Sequence, residues 1–109
     1  FPKKELTKNE ELRLATYYTD IYYNNLPFET AKTLSKDTEL LKKSDFAYYI
    51  LAKAYLESKV PSRALANINK AIALNPDNLN YKKYKAQNGE NGSGSNRYGK
   101  SGEARYINN

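Results

Sequence analysis

The chain has 109 residues, a formal net charge of +6, and no cysteine, histidine, methionine or tryptophan. This length allows a single domain with a modest hydrophobic core, and the missing cysteine and histidine exclude disulfides and the common zinc sites. A catalytic site would have to use carboxylates, lysines, tyrosines and hydroxyls, and because no acid, base and nucleophile can be grouped from them, we predict a protein that is not an enzyme and uses no cofactor or metal.

The first two helices are predicted from the capping and breaking residues. Apolar residues recur every three or four positions along the first three quarters of the chain, which indicates helices and no strands. Thr7 and Glu10 have the spacing of a capping box, so we expect the first helix over residues 8–24. Pro27 suits the first turn of a helix, and the pattern predicts one uninterrupted second helix over residues 27–43.

Three further helices follow in the sequence. Ser44 or Asp45 can cap a third helix over residues 45–57. A proline opens a fourth helix over residues 61–74, and a short, lysine-rich fifth helix is expected over residues 79–87. The predicted fold class is therefore all-α.

The second half of this helical region repeats the first. When the numbering is shifted by 33, most of the aligned pairs match a small residue with a small one or a bulky residue with a bulky one. The aligned pairs are Ala15 with Tyr48, Tyr18 with Leu51, Thr19 with Ala52, Tyr22 with Tyr55, Ala31 with Ala64, Ser35 with Ile68, Thr38 with Ala71 and Leu41 with Leu74. Because close helix crossings need small residues, the alignment predicts two successive helix-turn-helix units.

The second unit carries the residues of a known repeat signature. They are Tyr48, Leu51, Ala52, Tyr55, Ala64, Ile68, Ala71 and Pro76. In type and spacing they resemble the tetratricopeptide repeat (TPR), whose period is about 34 residues. The resemblance implies a TPR-like array of helical hairpins over residues 8–87, made of two units and a short capping helix that form a right-handed solenoid. A one-residue deletion near Lys43 would account for the shorter period of this chain.

The resemblance also implies a binding surface. TPR arrays generally bind extended or helical peptides on a concave wall formed by the first helix of each unit. Transferred by helical phase, the wall residues are Arg13, Thr16, Asp20 and Tyr23 in the first unit, Phe46, Tyr49, Lys53 and Leu56 in the second, and Asn80, Lys83 and Gln87 in the cap. Aromatic residues of this set can line the groove or pack in the core, and the sequence leaves both open, whereas Tyr18, Tyr22, Tyr48 and Tyr55 are expected in the core.

The function that this resemblance implies is protein-protein interaction. We predict a scaffold or adaptor that binds a peptide segment of a partner protein and takes no small-molecule substrate. Some relatives grip a terminal carboxylate with Lys, Asn and Arg on this wall, but Thr16 and Asp20 stand where that cluster needs a cation and an amide. Asp20 would instead favour a basic ligand.

Nucleic-acid binding is the weaker alternative. Lysines and exposed tyrosines can attract and stack on bases, but the lysines are scattered among glutamates and form no basic block. No apolar run approaches the roughly 20 residues of a bilayer span, so membrane insertion is not expected.

The composition changes at the C-terminal end. All five glycines lie at or after Gly89, which predicts a flexible Gly/Ser linker over residues 88–95 and a separate tail over residues 96–109. Residues 94–101 spell the pattern G-x-x-x-x-G-K-S of a phosphate-binding loop. That loop needs a preceding strand and a following helix, and because neither is predicted, we expect no nucleotide site.

The tail has two pairs of side chains that could anchor it on a protein surface. They are Arg97 with Tyr98 and Arg105 with Tyr106. Three origins remain open for the tail: a partner peptide fused to the domain by the linker, a native disordered tail, or a leftover vector sequence. Because the chain begins at Phe1 and lacks methionine, we expect it to be a piece of a longer protein.

Overall fold

A computed structural model describes residues 5–89 of the chain. Over this range it contains α-helices and one terminal turn of π-helix, with no strand, which confirms the all-α class. The elements are α1 (Lys8–Tyr22), α2 (Pro27–Leu34), α3 (Thr38–Lys43), α4 (Asp45–Glu57), α5 (Pro61–Leu74), α6 (Leu79–Tyr84) and the π-helical turn Lys85–Gly89. The tail and all but the start of the predicted linker lie outside the described residues.

Local side-chain caps set the helix boundaries. The capping box of α1 is confirmed, because the Thr7 hydroxyl accepts a hydrogen bond from the Glu10 amide (3.1 Å) and the Glu10 carboxylate accepts one from the Thr7 amide (2.8 Å). Ser44 caps α4 by accepting a bond from the Ala47 amide (3.0 Å). Prolines occupy the first turn of α2 and α5, as their sequence positions predicted.

The predicted uninterrupted helix over residues 27–43 was wrong, because the chain leaves helical geometry between α2 and α3. Asp37 has φ −86° and ψ 71° and accepts a bond from the Leu40 amide, so it caps α3. Arg13 on α1 donates to both carboxylate oxygens of Asp37 (2.8 and 2.9 Å), and the Tyr17 hydroxyl donates to one of them (2.9 Å). These long-range bonds hold Asp37 outside a helix, which apolar periodicity alone does not reveal.

Local backbone features recur at a spacing of 34 in the numbering, not 33. Pro27 and Pro61 open α2 and α5. The only described non-glycine residues with positive φ are Asn25 (54°) and Lys59 (67°), and each lies in the turn before one of these prolines. Side-chain caps recur at the same spacing, with Ser44 before α4 and Asn78 before α6.

The burial pattern requires the same correction. Pairs that are buried or half-buried at a spacing of 34 are Tyr17 with Leu51, Thr30 with Ala64, Leu34 with Ile68, Leu40 with Leu74, and Ala47 with Tyr81. The shift of 33 had placed Ala15 and Thr19 among the small core residues, but both are exposed. A deletion near Lys43 is therefore not needed to describe the repeat.

The core has two parts, and α4 belongs to both. Leu34, Leu40 and Ile50 are fully buried in the first part, where α1, α2, α3 and α4 meet. Ala52 of α4 packs in the second part with residues of α5 and α6. No helix within residues 5–89 is long and apolar enough to cross a membrane.

Polar contacts attach α1 to α3 and to its cap, Asp37. Lys43 donates to the carboxylate of Glu10 (2.9 Å), which is only 4% exposed, and this bond lowers the pKa of Glu10. The Arg13 guanidinium likewise holds the pKa of Asp37 below its usual value. Burial raises the pKa of the Tyr17 hydroxyl to about 12, so it remains a donor to Asp37 at neutral pH.

We predict that Asp37→Ala destabilises the fold, because it removes the cap of α3 and the acceptor for Arg13 and Tyr17. The free energy of unfolding, measured by urea denaturation, should fall by about 2 to 3 kcal/mol. Glu39→Ala is the matched control, since Glu39 also pairs with Arg13 but its side chain is 77% exposed, and it should change stability by less than about 0.5 kcal/mol. Equal losses for the two variants would contradict this account of α3.

We also predict that the fold loses stability in acid through Glu10 and Asp37. Both carboxyl groups have lowered pKa values in the folded state. Their contribution to the free energy of unfolding is therefore complete above about pH 4.5, the ordinary pKa of Glu10. It declines as the pH falls through the pKa values of the two groups in the folded state. The double variant Glu10→Gln/Asp37→Asn should show a flatter pH dependence of the unfolding midpoint. An unchanged slope below pH 4.5 would exclude these two groups as the cause.

Candidate functional site

The described residues form an open groove of about 420 Å³. Its lining comes from α1, from α4, and from α6 with its flanking residues. The lining side chains, here called the aromatic groove, are Tyr18, Tyr22, Phe46, Tyr49, Asn78, Asn80, Tyr81, Lys83, Tyr84 and Gln87. Six of these ten residues are aromatic, and such a concave, largely aromatic surface with a few polar groups is typical of a binding site.

The aromatic side chains contact one another across three helices. The ring centroid of Phe46 lies 6.0 Å from that of Tyr18 and 5.9 Å from that of Tyr49. Tyr49 lies in turn 5.1 Å from Tyr81 and 5.3 Å from Tyr84. These separations are those of stabilising aromatic pairs, so a continuous aromatic wall extends from α1 across α4 to α6.

Two hydrogen bonds to the buried Asp45 carboxylate hold α6 against the start of α4. The Tyr81 hydroxyl donates to the carboxylate of Asp45 at 2.7 Å, and the side-chain amide of Asn75 donates to the same oxygen at 3.1 Å. Burial, together with this bond to Asp45, raises the pKa of Tyr81 well above its usual value. The hydroxyl therefore stays protonated, and the bond fixes the position of α6 at one side of the aromatic groove.

Lys53 of α4 places its ammonium group against three rings of the aromatic groove. Its Nζ lies 5.0 Å from the ring centroid of Tyr84, 5.4 Å from that of Tyr22 and 5.5 Å from that of Tyr49, which are cation-π distances. Within residues 5–89, Lys53 forms no ion pair with a carboxylate. Burial raises the pKa of Tyr22 to about 12, so this neighbouring hydroxyl is neutral at physiological pH.

Six of the wall residues predicted on α4 and the cap lie in or beside the aromatic groove. Five of them line it, namely Phe46, Tyr49, Asn80, Lys83 and Gln87, and Lys53 contacts its rings. Leu56 lines a much smaller cavity, of about 10 Å³, together with Tyr84 and residues of α5. The structure thus brings together all of the wall residues predicted on α4 and the cap except Leu56.

The wall residues predicted on α1 do not line the aromatic groove. Arg13 and Thr16 line a second depression of about 260 Å³, and Arg13 is engaged with Asp37. Asp20 accepts a bond from the side chain of Asn24 (3.0 Å). Tyr23 is 76% exposed, and its ring and that of Tyr18 form a T-shaped contact.

Instead, α1 contributes two tyrosines that the sequence had assigned to the core. Tyr18 is half-buried and Tyr22 is 42% exposed, and both line the aromatic groove. For Tyr22 the cause is the register of the repeat, because a shift of 34 pairs it with Leu56, which the phase argument placed on the wall. The same shift pairs Tyr18 with the buried Ala52, so the register does not account for Tyr18. Tyr48 and Tyr55, also expected in the core, are half-buried against it.

Two groove residues on α6 were missed by the sequence reasoning. Tyr81 and Tyr84 are three positions apart, which places them on one face of a helix. Both tyrosines follow the Asn78 cap, which lies 34 positions after Ser44, the cap of α4. This repeated cap could have indicated that the face with Tyr81 and Tyr84 meets α4.

The tail residues predicted to act as a peptide ligand, Arg97, Tyr98, Arg105 and Tyr106, lie outside the described residues. Among residues 5–89 there is no group of three or more acidic side chains that could hold a metal ion. Comparison of the chain with protein-family models, with curated proteins and with solved structures finds no match. The geometry of the aromatic groove is therefore the main indication of function.

We predict that Tyr81→Phe destabilises the fold, because it removes the hydroxyl that donates to the buried Asp45 carboxylate. Hydrogen bonds to charged groups contribute about 1.5 to 3 kcal/mol, and we expect a loss in this range in thermal or urea unfolding. Tyr23→Phe removes a hydroxyl from a largely exposed ring and should be neutral within about 0.5 kcal/mol. A neutral Tyr81→Phe variant would show that this bond does not hold α6 in place.

Proposed function

We propose that this domain is a non-enzymatic protein-protein interaction module that binds a peptide segment of a partner protein in the aromatic groove, and so acts as a scaffold or adaptor. The observation that carries the proposal is the continuous aromatic wall, in which Phe46 and Tyr49 join the rings of α1 to those of α6. Aromatic side chains held by packing lose little freedom on binding and are enriched at the energetic centres of interfaces.

The arrangement of the lining residues supports a TPR-like array as the basis of this function. Every described residue of the aromatic groove belongs to α1, α4, or α6 with its flanking residues, and none belongs to α2, α3 or α5. In the TPR family the first helix of each unit forms the binding wall, and α1, α4 and α6 would be these first helices. The spacing of 34 between the caps of α4 and α6, and between the turns before α2 and α5, matches the TPR period of about 34 residues. We therefore propose two helical hairpins and a capping helix in a right-handed solenoid.

The fused or native tail is one peptide that this groove could hold. A linker of about seven residues spans roughly 15 Å on average, and such tethering gives an effective concentration near the millimolar range. Even a weak ligand would be bound under these conditions. The tail peptide, residues 96–109, is therefore a defined first probe.

The proposed function predicts that peptides selected for binding to this domain use the aromatic groove. A displayed library of random peptides, with the tail peptide included, is selected on the immobilised chain that ends at Gly89, after circular dichroism has shown that this shortened chain is helical. We expect enriched peptides whose affinity falls at least about tenfold in the Phe46→Ala/Tyr49→Ala variant, since truncated hot-spot residues cost more than about 1.4 kcal/mol.

Two further variants separate binding from stability in this test. Tyr22→Ala removes a partly exposed lining ring and should also weaken binding, whereas Tyr23→Ala removes the more exposed ring directly after α1, which does not line the groove, and should not. A library without enriched peptides, or enriched peptides that bind every variant equally, would contradict the proposed function.

A further inference from the structure

We propose that the aromatic groove selects an acidic peptide segment, in which a carboxylate side chain lies close to an aromatic or aliphatic anchor. The inference rests on the proposed function and adds to it the chemical class of the ligand. It differs from the sequence-based expectation of a basic ligand, which depended on Asp20. Asp20 is not among the described residues that line the groove.

The charged side chains at the aromatic groove are the cations Lys53 and Lys83, and no acidic side chain among residues 5–89 lines the groove beside them. Lys83 is exposed and lines the groove, and Lys53 contacts three of its rings. The described lining contains no Asp or Glu. Glu57 is close enough for its charge to raise the pKa values of Tyr22 and Tyr84, but it is exposed and does not line the groove.

Lys53 differs from the cations that stabilise the fold. Lys43 and Arg13 each pair with a carboxylate at 2.8 to 2.9 Å, namely with Glu10 and Asp37. Lys53 has no such partner within residues 5–89, and its Nζ is held by rings alone. A half-buried ammonium group that is partly removed from water gains most from a ligand carboxylate, because a charge-assisted hydrogen bond is stronger in such an environment.

The remaining surface of the groove favours an apolar anchor and an extended backbone. Tyr18 and Phe46 pack against each other on the α1 side of the groove, and neither is among the rings that Lys53 contacts. Asn80 and Gln87 are exposed amide side chains at the α6 end, where they can bond a peptide backbone. The ligand would place its apolar side chain at the α1 end and its carboxylate between Lys53 and Lys83.

The packing of the rings favours a peptide over a single-stranded nucleic acid. Nucleic acids of this kind need free aromatic faces on which successive bases stack. The Tyr49 ring is in contact with Phe46, Tyr81 and Tyr84, and the ammonium group of Lys53 lies over it. Its ring therefore contributes to a wall rather than to a stacking platform.

The test uses two peptides of identical aromatic content and opposite charge. The first is the tail sequence 96–109, whose net side-chain charge is +2 from Arg97, Lys100 and Arg105 against Glu103. The second is the same peptide with these charges reversed (Arg97→Glu, Lys100→Glu, Arg105→Glu, Glu103→Lys), with a net side-chain charge of about −2 at neutral pH. Each is titrated into the ¹⁵N-labelled full-length chain, and amide shifts of groove residues are followed at two salt concentrations.

We expect the acidic peptide to bind at least about tenfold more tightly than the basic one, with a preference that weakens at high salt. Lys53→Gln should weaken the acidic peptide about tenfold, and Lys53→Arg should restore most of the affinity. Lys70→Gln is the matched control, because Lys70 also lies over a tyrosine ring, that of Tyr48 at 5.6 Å, but lies outside the groove; it should change affinity less than twofold.

Each other outcome contradicts one specific claim. Equal or tighter binding of the basic peptide overturns the inference and leaves the proposed function standing. Equal losses in Lys53→Gln and Lys70→Gln overturn the role of Lys53. Tighter binding of a twelve-residue oligothymidylate than of the acidic peptide identifies a nucleic-acid site instead. If neither peptide perturbs the groove, in the full-length chain and in the chain that ends at Gly89 alike, the proposed function itself fails.

Discussion

The packing of α4 on both of its sides is the constraint on which the other features depend. Ala47, Ala52 and Ala54 are completely buried, and because alanine lets helix axes approach closely, α4 can contact α1, α2 and α3 in one core and α5 in the other. The same helix positions Phe46, Tyr49 and Lys53 at the aromatic groove. Core and groove therefore share one helix, in which the small residues determine the packing and the large residues form the surface for a ligand.

The two sides of the groove are held by different kinds of interaction. On the α6 side, Tyr81 is only 3% exposed and its hydroxyl binds Asp45, so apolar burial and a buried hydrogen bond act together. On the α1 side, Tyr17 and Ile21 are buried in the core, and the pairs of Arg13 with Asp37 and of Lys43 with Glu10 add ionic contacts. Ion pairs respond to pH and salt more than apolar packing does.

Much of the fold could be predicted from sequence, because caps and prolines act locally. The Thr7 and Glu10 capping box, the Pro27 and Pro61 helix starts and the burial of Ala52, Ala64 and Ala71 all follow from short-range patterns. The break at Asp37 could not be predicted in this way, since its partners Arg13 and Tyr17 are more than 19 positions away. The register of α1 was also wrong, because small residues that match a signature, such as Ala15 and Thr19, are exposed where no described helix covers them. That error left Tyr22 out of the predicted α1 wall, because the spacing of 34 pairs Tyr22 with the predicted wall residue Leu56.

The central claim is that α1, α4 and α6 join their aromatic side chains into one wall around Lys53. Proton NMR of the full-length chain tests it most directly, because protons above a ring face are shifted upfield by the ring current. The structure predicts clearly upfield-shifted Lys53 ε-methylene protons, with cross-relaxation from the Phe46 ring to the rings of Tyr18 and Tyr49 and from Tyr49 to Tyr81. Lys53 methylene shifts typical of an unfolded chain, together with no cross-relaxation between Phe46 and Tyr18, would show that the helices do not form this groove.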